Sequence, residues 1–154
     1  MMANGMTDNG SADDDLARRT AAAMYESDRA SQMLGMRIED VRAGYARLSM
    51  TVRREMTNGH ETCHGGLIFT LADSAFAFAC NSRNERTVAS GGQVDFVRPA
   101  YAGDTLLAEA VHRSQSGRTG VYDINVTNQD GALVALMRGR SHRIRGQVIP
   151  EEAP

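Results

Sequence analysis

The clearest hydrophobic pattern in the chain is a strict alternation over residues 46–53. Apolar side chains fall on one face and polar side chains on the other, which predicts a half-buried β-strand. The apolar face comprises Ala46, Leu48, Met50 and Val52, and the polar face comprises Arg47, Ser49, Thr51 and Arg53. A shorter strand is predicted over residues 36–41, followed by a turn at Ala43-Gly44.

A second pattern, over residues 67–80, is apolar on almost every side. Its sequence is LIFTLADSAFAFAC, and its apolar residues recur at the three- and four-residue spacing of a helix. The preceding residues 57–66 are rich in glycine and predict a loop. Because a helix that is hydrophobic all round is normally buried, we predict one long central helix over residues 67–80.

The rest of the chain predicts a leader, a first helix and four more strands. Residues 1–14 are small, polar and acidic and predict a disordered leader, and residues 15–33 predict a helix that Gly35 ends. The strands are predicted over residues 87–98, 104–113, 120–128 and 132–144, before a C-terminal tail over residues 149–154. This order indicates an α+β fold, with an antiparallel sheet wrapped around the central helix.

Composition and charge describe one globular domain, which we place at residues 15–148. The chain has 154 residues, 42% of them hydrophobic, and contains no apolar run of the ~20 residues that a membrane span needs. Residues 1–15 hold four aspartates and no arginine, whereas the remainder holds 17 arginines against 15 acids. The remainder of the chain is thus only weakly positive and lacks the basic face of a nucleic-acid-binding protein. We therefore expect neither a nucleic-acid nor a membrane partner.

Two further features of the composition restrict the chemistry and the compartment. Every one of the 17 basic residues is arginine, which excludes lysine Schiff bases, a P-loop lysine and a lysine general base. The chain has two cysteines and no N-terminal pattern of a secretory signal. We therefore expect no disulfide framework and a cytoplasmic location.

Residues 60–64 (HETCH) match the H-E-x-x-H pattern of zinc proteases. In that pattern both histidines share one face of a helix, but here the segment lies between Asn58-Gly59 and Gly65-Gly66, which is poor helix context. We interpret the match as accidental, and we expect neither a metal nor another cofactor.

Asp73 is the first candidate for catalysis. It is the only carboxylate between Glu61 and Glu85, in the middle of the most apolar segment of the chain. Burial of an unpaired carboxylate is costly and raises its pKa, which suits a general base or a nucleophile in a cleft with little water. The alternative is a structural role, in which hydroxyls such as those of Thr70 or Ser74 satisfy the carboxylate.

The second candidate is His64-Gly65-Gly66, where the central helix begins. Glycines there allow close approach to the backbone, and free amides at a helix start can polarise a carbonyl oxygen. A simple tight turn is the alternative. Eight residues, or roughly 12 Å of helix, separate Gly65 from Asp73, so one carbonyl cannot easily reach both within one chain. Two helices packed antiparallel in a dimer would bring the Gly65 of one chain beside the Asp73 of the other.

Arginines in the last third of the chain are candidates for phosphate binding. Arg138, Arg140 and His142 alternate on one face of the last predicted strand, and Arg118 follows Gly117 in a predicted turn. A solvated face whose charges protect a sheet edge is the alternative. The spacing leaves both interpretations open.

Short motifs throughout residues 16–148 make the chain resemble hotdog-fold acyl-CoA thioesterases of the phenylacetate-pathway (PaaI) type. His-Gly-Gly followed by an aspartate nine residues after the histidine is specific for this branch. The matching motifs are Asn58-Gly59-His60, Cys63-His64-Gly65-Gly66, Leu71-Ala72-Asp73, Ala79-Cys80-Asn81-Ser82, Val94-Asp95-Phe96, Arg98-Pro99, Ala102-Gly103-Asp104 and residues 139–144.

The resemblance implies a hotdog fold, shared active sites in a dimer, pairing of dimers into tetramers, and hydrolysis of phenylacetyl-CoA or hydroxyphenylacetyl-CoA. By this resemblance Asp73 is the nucleophile or the general base, and the Gly65 amide binds the thioester carbonyl. His64 supports the loop, and Asn58 holds the water or the leaving group. A non-hydrolytic acyl-CoA-binding or dehydratase-like hotdog protein is the alternative, which an assay for free CoA distinguishes.

The resemblance also suggests residues that contact the substrate. Ser90 lies near a position that the family takes from the partner subunit, although the neighbouring Gly91-Gly92 differ from the more usual residues there. For the CoA phosphates we expect Arg118 and Arg140, with Gly117 in the same turn as Arg118.

Overall fold

The computed structural model describes residues 9–151, which form three helices, a 3-10 turn and six strands. The helices are α1 (Asn9–Ser27), α2 (Arg29–Met33) and α3 (Gly65–Cys80), and the 3-10 turn is Arg54–Met56. The strands are β1 (Arg37–Arg42), β2 (Tyr45–Thr51), β3 (Thr87–Phe96), β4 (Thr105–Ser116), β5 (Thr119–Thr127) and β6 (Leu133–Arg143). Every predicted strand and the central helix are present, with ends shifted by a few residues at most.

The six strands form one sheet in the order β1-β2-β4-β5-β6-β3, and all neighbouring strands are antiparallel. Since β2 and β3 are far apart in the sheet, the chain between them crosses one face of the sheet as α3. This helix contacts all six strands. The arrangement is the predicted antiparallel sheet wrapped around one long central helix.

Small side chains allow α3 to approach the sheet closely. Ala72, Ala75 and Ala79 are buried on the helix, and the buried sheet residues include Ala46, Ala108 and Ala110. Phe76 extends from the helix towards Gly139 on β6, where a Cβ would lie only 2.8 Å from the phenylalanine ring. The backbone of β6 therefore forms part of the wall against which Phe76 packs.

Strand β3 is one edge of the sheet and is open to solvent. None of its ten residues is buried, and only β6 pairs with it. The apolar residues Phe96 and Val97 at its end are about half exposed. A long edge strand without proline or lysine readily pairs with another strand, so β3 is available to a second chain.

The predicted disordered leader is wrong for residues 9–14, which form the first turns of α1. Asp14 Oδ1 accepts a hydrogen bond from the backbone N–H of Ala43, 3.1 Å away, and this long-range contact holds the helix start against the β1–β2 turn. The remaining leader, residues 1–8, lies outside the described residues. The predicted helix also divides at Asp28, which caps α2 by accepting from the Ser31 N–H.

The predicted C-terminal tail is anchored at its first residue. Asn84 Oδ1 accepts from the N–H groups of Val148 and Ile149, and Asn84 Nδ2 donates to the Ile149 carbonyl. The domain thus continues through residue 149. Residues 152–154 of the predicted tail lie outside the described residues.

The close packing of Phe76 on Gly139 generates a stability prediction. Because the Phe76 ring is fully buried, Gly139→Ala forces a Cβ into contact with an immobile ring, and we expect a loss of roughly 1–3 kcal/mol in the free energy of unfolding. The matched control is Gly10→Ala, where a Cβ meets nothing within 4 Å. Urea unfolding at one protein concentration measures both variants, and wild-type stability of Gly139→Ala would contradict this packing.

Candidate active site

Asp73 lies on a half-buried stripe of α3, together with Thr70, Ala77 and Cys80. Its carboxylate makes no hydrogen bond within residues 9–151. The hydroxyl of Thr70 donates to the Gly66 carbonyl, and that of Ser74 pairs with the hydroxyl of Ser31. Neither hydroxyl bonds Asp73, so the described part of the chain does not show the hydrogen bonds from these hydroxyls that the structural alternative expects.

Burial raises the pKa of Asp73 above its ordinary value. Desolvation by the surrounding apolar side chains is the cause, since removal of water disfavours the charged form. Burial also raises the pKa of the Cys80 thiol, two helical turns further on, to about 12. Cys80 therefore stays protonated at neutral pH, and a protonated thiol is a poor nucleophile.

The segment before α3 is a turn, as interpreted from its glycines, and not a zinc-protease helix. Glu61 has a positive φ of 62°, and Thr57 and Cys63 form an isolated β-bridge. Within residues 9–151 no group of three His, Cys, Asp or Glu side chains is arranged to hold a metal ion. The absence of a bound metal remains a prediction.

His64 caps the N-terminus of α3 and shapes the backbone there. Its Nδ1 accepts from the Gly66 N–H at 2.9 Å, and its own N–H donates to the Met56 carbonyl. The Gly65 N–H, between these two, has no acceptor in the part of the chain that the structure describes. An unpaired N–H at a helix start is a donor for a developing oxyanion.

Asn58 contributes a second free donor. Its Oδ1 accepts from the N–H of His60 and from both the N–H and the hydroxyl of Thr62, at 2.9, 3.3 and 3.2 Å. These bonds fix the orientation of the side chain. The Asn58 amide NH₂ makes no hydrogen bond to residues 9–151 and is free to donate to a ligand.

Asn58 and Gly65 share a cleft of about 370 Å³ with the residues that follow β3, among them Val97 and Arg98. The Phe96 ring covers Gly65, where a Cβ would lie 3.1 Å from the ring. Arg98 makes no ion pair with any described residue. The sequence analysis did not give Phe96 or Arg98 a role. The apolar pair Phe96-Val97 followed by Arg98, at the end of a predicted strand, was a signal that could have indicated one.

The structure does not bring all the predicted catalytic residues together in one chain. Asn58, His64 and Gly65 meet at the start of α3, whereas Asp73 lies more than two turns along the helix and does not line their cleft. Gly65 is the first residue of α3, and Asp73 lies eight residues further along the same helix. That these groups serve sites shared between two chains stays a prediction.

The predicted substrate-binding residues lie on the opposite face of the sheet or at its end. Ser90 donates to the Arg140 carbonyl at 3.2 Å, and the Arg140 guanidinium fills the space that a Cβ on Gly91 would take. Gly117 and Arg118 form the β4–β5 turn, where both carbonyls accept from Arg143. None of the four lines the cleft of Asn58 and Gly65, and their role stays a prediction.

Comparison with known proteins places this geometry in a family. Residues 60–135 match the model of the thioesterase superfamily. The acyl-coenzyme A thioesterase PaaI of Escherichia coli K12 is 51% identical over 135 residues, which cover 88% of this chain and 96% of that protein. The structure of the Escherichia coli PaaI protein, which comes from the phenylacetic acid degradation operon, superposes on this chain with a TM-score of 0.86. The match covers 87% of this chain and 97% of the Escherichia coli chain.

A more distant structure shows the same fold with a ligand. A thioesterase protein of Streptococcus pneumoniae with coenzyme A is 25% identical, has a TM-score of 0.69, and is matched over 73% of this chain and 87% of its own. The chain belongs to the thioesterase superfamily. It has the hotdog fold, and it is a thioester hydrolase, which confirms both expectations drawn from its motifs.

The desolvation of Asp73 predicts how stability depends on pH. Because the folded pKa lies above the unfolded one, the wild type loses stability relative to Asp73→Asn as the pH rises through the folded pKa. We expect Asp73→Asn to melt at a higher temperature than the wild type at pH 7.5. The difference should vanish below about pH 3.9, where the carboxyl is neutral in both states.

Thermal unfolding of the two proteins between pH 3.5 and 8 measures this effect. Asp130→Asn, in an exposed turn between β5 and β6, is the matched control and should show no such pH-dependent gain. A gain for Asp73→Asn of equal size at every pH would contradict desolvation as its cause.

Proposed function

We propose that the chain hydrolyses arylacetyl-CoA thioesters, with phenylacetyl-CoA or hydroxyphenylacetyl-CoA as substrate, at sites that two chains share. The observation that carries this proposal is the unpaired, desolvated carboxylate of Asp73 on the open stripe of α3. The name of the similar Escherichia coli protein and its operon support the acyl-CoA and phenylacetyl parts of the substrate.

The residues suit hydrolysis without a serine triad. As a general base, Asp73 takes a proton from water while the hydroxyl adds to the thioester carbon. The Gly65 N–H then stabilises the oxyanion, the C–S bond breaks, and CoA leaves as the thiol after protonation. As a nucleophile, Asp73 itself adds to the thioester carbon, the C–S bond breaks and CoA leaves as the thiolate. Water then hydrolyses the resulting anhydride to the free acid and regenerates the Asp73 carboxylate. Both routes need the same donors and an ionised Asp73.

Two surfaces support a dimer that completes the site. The edge of β3 is unpaired, and the stripe of α3 that carries Asp73 is only partly covered by the rest of the chain. Antiparallel pairing of two β3 edges around a two-fold axis places two α3 helices in opposite directions. The Gly65 of one chain then lies beside the Asp73 of the other. We propose that two such dimers assemble into a tetramer.

The cleft at Gly65 suits the leaving group. Phe96 and Val97 offer apolar contacts to the pantetheine arm, and the unpaired Arg98 adds a positive charge at its rim. Arg118 and Arg140 stay our proposed ligands of the CoA phosphates, and Ser90 and Gly117 stay proposed substrate contacts.

A cytoplasmic location also stays a proposal. Both Cys63 and Cys80 are free thiols, which is consistent with a reducing compartment. No helix within residues 9–151 is long and apolar enough to cross a membrane.

The role of Asp73 predicts the effect of one substitution on catalysis. Asp73→Asn keeps the size of the side chain but removes its charge and basicity, so we expect kcat to fall at least ~10²-fold while KM for phenylacetyl-CoA changes little. Release of free CoA measures the rate, and Asp130→Asn is the matched control. Hydrolysis by Asp73→Asn near the wild-type rate would exclude Asp73 as the catalytic carboxylate.

The shared site predicts complementation between two inactive variants. Homodimers of Asp73→Ala and of Asn58→Ala should each be nearly inactive, since every site in them lacks one group. A mixed dimer has one intact site and one doubly damaged site. Random pairing after unfolding and refolding together makes about half of the dimers mixed, so activity should recover to about a quarter of wild type if the sites act independently.

Proof that mixed dimers have formed is part of this experiment. Chains carrying different affinity tags allow the mixed dimer to be purified before its activity is measured. If purified mixed dimers are no more active than the parents, the site lies within one chain and the proposed dimer is wrong.

A further inference from the structure

An aromatic ring from the edge of the sheet packs against the first residue of α3. A Cβ at position 65 would lie 3.1 Å from the Cζ atom of Phe96 and 3.3 and 3.4 Å from its two Cε atoms. The tip of the ring thus meets the Cα of Gly65, in the volume that a side chain there would take. Packing against this ring therefore favours a glycine at position 65, independently of any ligand.

The ring covers one side of Gly65 and leaves its N–H open. At the start of a helix the N–H groups point along the axis and out of the helix, whereas the Cα–Cβ bond points mainly away from the axis. Phe96 lies where that Cβ would be, so it flanks the peptide group without blocking the line along which the N–H donates. This N–H has no acceptor within residues 9–151. A carbonyl oxygen can therefore reach the donor with the ring beside it.

The ring makes the surroundings of this donor apolar. Water beside an N–H competes for its hydrogen bond and screens its partial charge, and ring carbons do neither. Ile68 and Val97 line the same cleft and add apolar surface. An oxyanion that forms at Gly65 thus meets a donor that water screens less than it screens a donor at a bare helix start.

The core of the sheet holds the backbone of Phe96 in place. Phe96 pairs with Ala135 on β6, and the N–H groups of Val97 and Arg98 both donate to the Val134 carbonyl, at 2.9 and 3.2 Å. Val134 and Ala135 are fully buried. The position of the ring is therefore set by the sheet, although Phe96 is 52% exposed.

We infer that Phe96 is a positioning residue for hydrolysis, whose ring keeps water from the side of the Gly65 N–H and so strengthens the contact of this donor with the oxyanion. The inference rests on the proposed function for the role of Gly65. It distinguishes Phe96 from its neighbour Val97, which is 53% exposed and lines the same cleft. The three atoms nearest to the Cβ position of Gly65 all belong to Phe96.

Two control variants match Phe96→Ala. Tyr101→Ala removes an aromatic side chain that is also 52% exposed but does not line the cleft, and it should behave as the wild type. Val97→Ala removes an apolar side chain from the cleft without uncovering Gly65. Together they separate the loss of an exposed aromatic ring, and the loss of an apolar contact, from the loss of cover at Gly65.

Exchange of the Gly65 amide proton with water tests the shielding without any substrate. Because no hydrogen bond protects this N–H, its exchange rate responds to the water beside it. We expect NMR on isotope-labelled protein to show exchange at Gly65 at least about fivefold faster in Phe96→Ala than in the wild type, and within about twofold in both controls. Sedimentation velocity shows whether each variant keeps the wild-type oligomeric state. If Phe96→Ala does not, Phe96→Gln, which keeps much of the bulk but attracts water, takes its place.

Kinetics with phenylacetyl-CoA test the consequence for hydrolysis. Phe96→Ala should lower kcat about tenfold and change KM less than about twofold, because the ring acts on the transition state. Phe96→Leu restores an apolar cover and should recover most of the loss. Val97→Ala removes a contact with the bound substrate, so we expect its effect to fall mainly on KM.

The two measurements distinguish failure of the inference from failure of the proposed function. Unchanged exchange at Gly65 in Phe96→Ala, faster exchange with a wild-type kcat, or a loss of kcat that Phe96→Leu does not reduce would overturn the inference. Failure of the wild type to hydrolyse either phenylacetyl-CoA or hydroxyphenylacetyl-CoA would instead overturn the proposed function, while the exchange rates would still decide whether Phe96 shields Gly65.

Discussion

The packing of α3 inside the curled sheet is the constraint on which the rest of the structure depends. Small side chains on the helix, such as Ala72 and Ala75, meet small side chains on the strands, so the sheet can contact the helix with all six strands. This close approach buries most of the helix. It leaves one stripe half open, and Asp73 is the only carboxylate there. The same packing that stabilises the fold therefore desolvates the group that we propose for catalysis.

This arrangement places different functional groups at the start, the middle and the end of α3. The start presents the free Gly65 N–H, because His64 and the helix geometry occupy the neighbouring groups. The middle carries Asp73, and the end carries Cys80, which lines a cavity together with Tyr122. A rigid helix holds Gly65 and Asp73 roughly 12 Å apart along its axis. The mechanism that we propose therefore calls for two chains at one site.

Periodicity in the sequence was enough to predict most of the fold. The alternation at residues 46–53 and the all-round apolar run at residues 67–80 both reflect burial, which is a local property of the pattern. The helix at residues 9–14 was missed because Asp14 is held by Ala43, a contact 29 residues away that no local pattern contains. Asp73 and Gly65 could be singled out as candidates because an isolated carboxylate and a glycine pair are visible in the sequence. The contact between the Phe96 ring and Gly65 could not, since only the folded chain brings these distant residues together.

Glycines on the concave face of the sheet mark points where the fold is packed most closely. Gly139 has no side chain where Phe76 fills the volume, so the sheet closes on the helix at that point. Gly120 lies two residues before Tyr122 on the adjacent strand β5, where a Cβ would lie 2.5 Å from the Ser141 hydroxyl oxygen and 3.1 Å from the Tyr122 ring. Both glycines therefore serve close packing, Gly139 between the sheet and α3 and Gly120 between neighbouring side chains of the sheet.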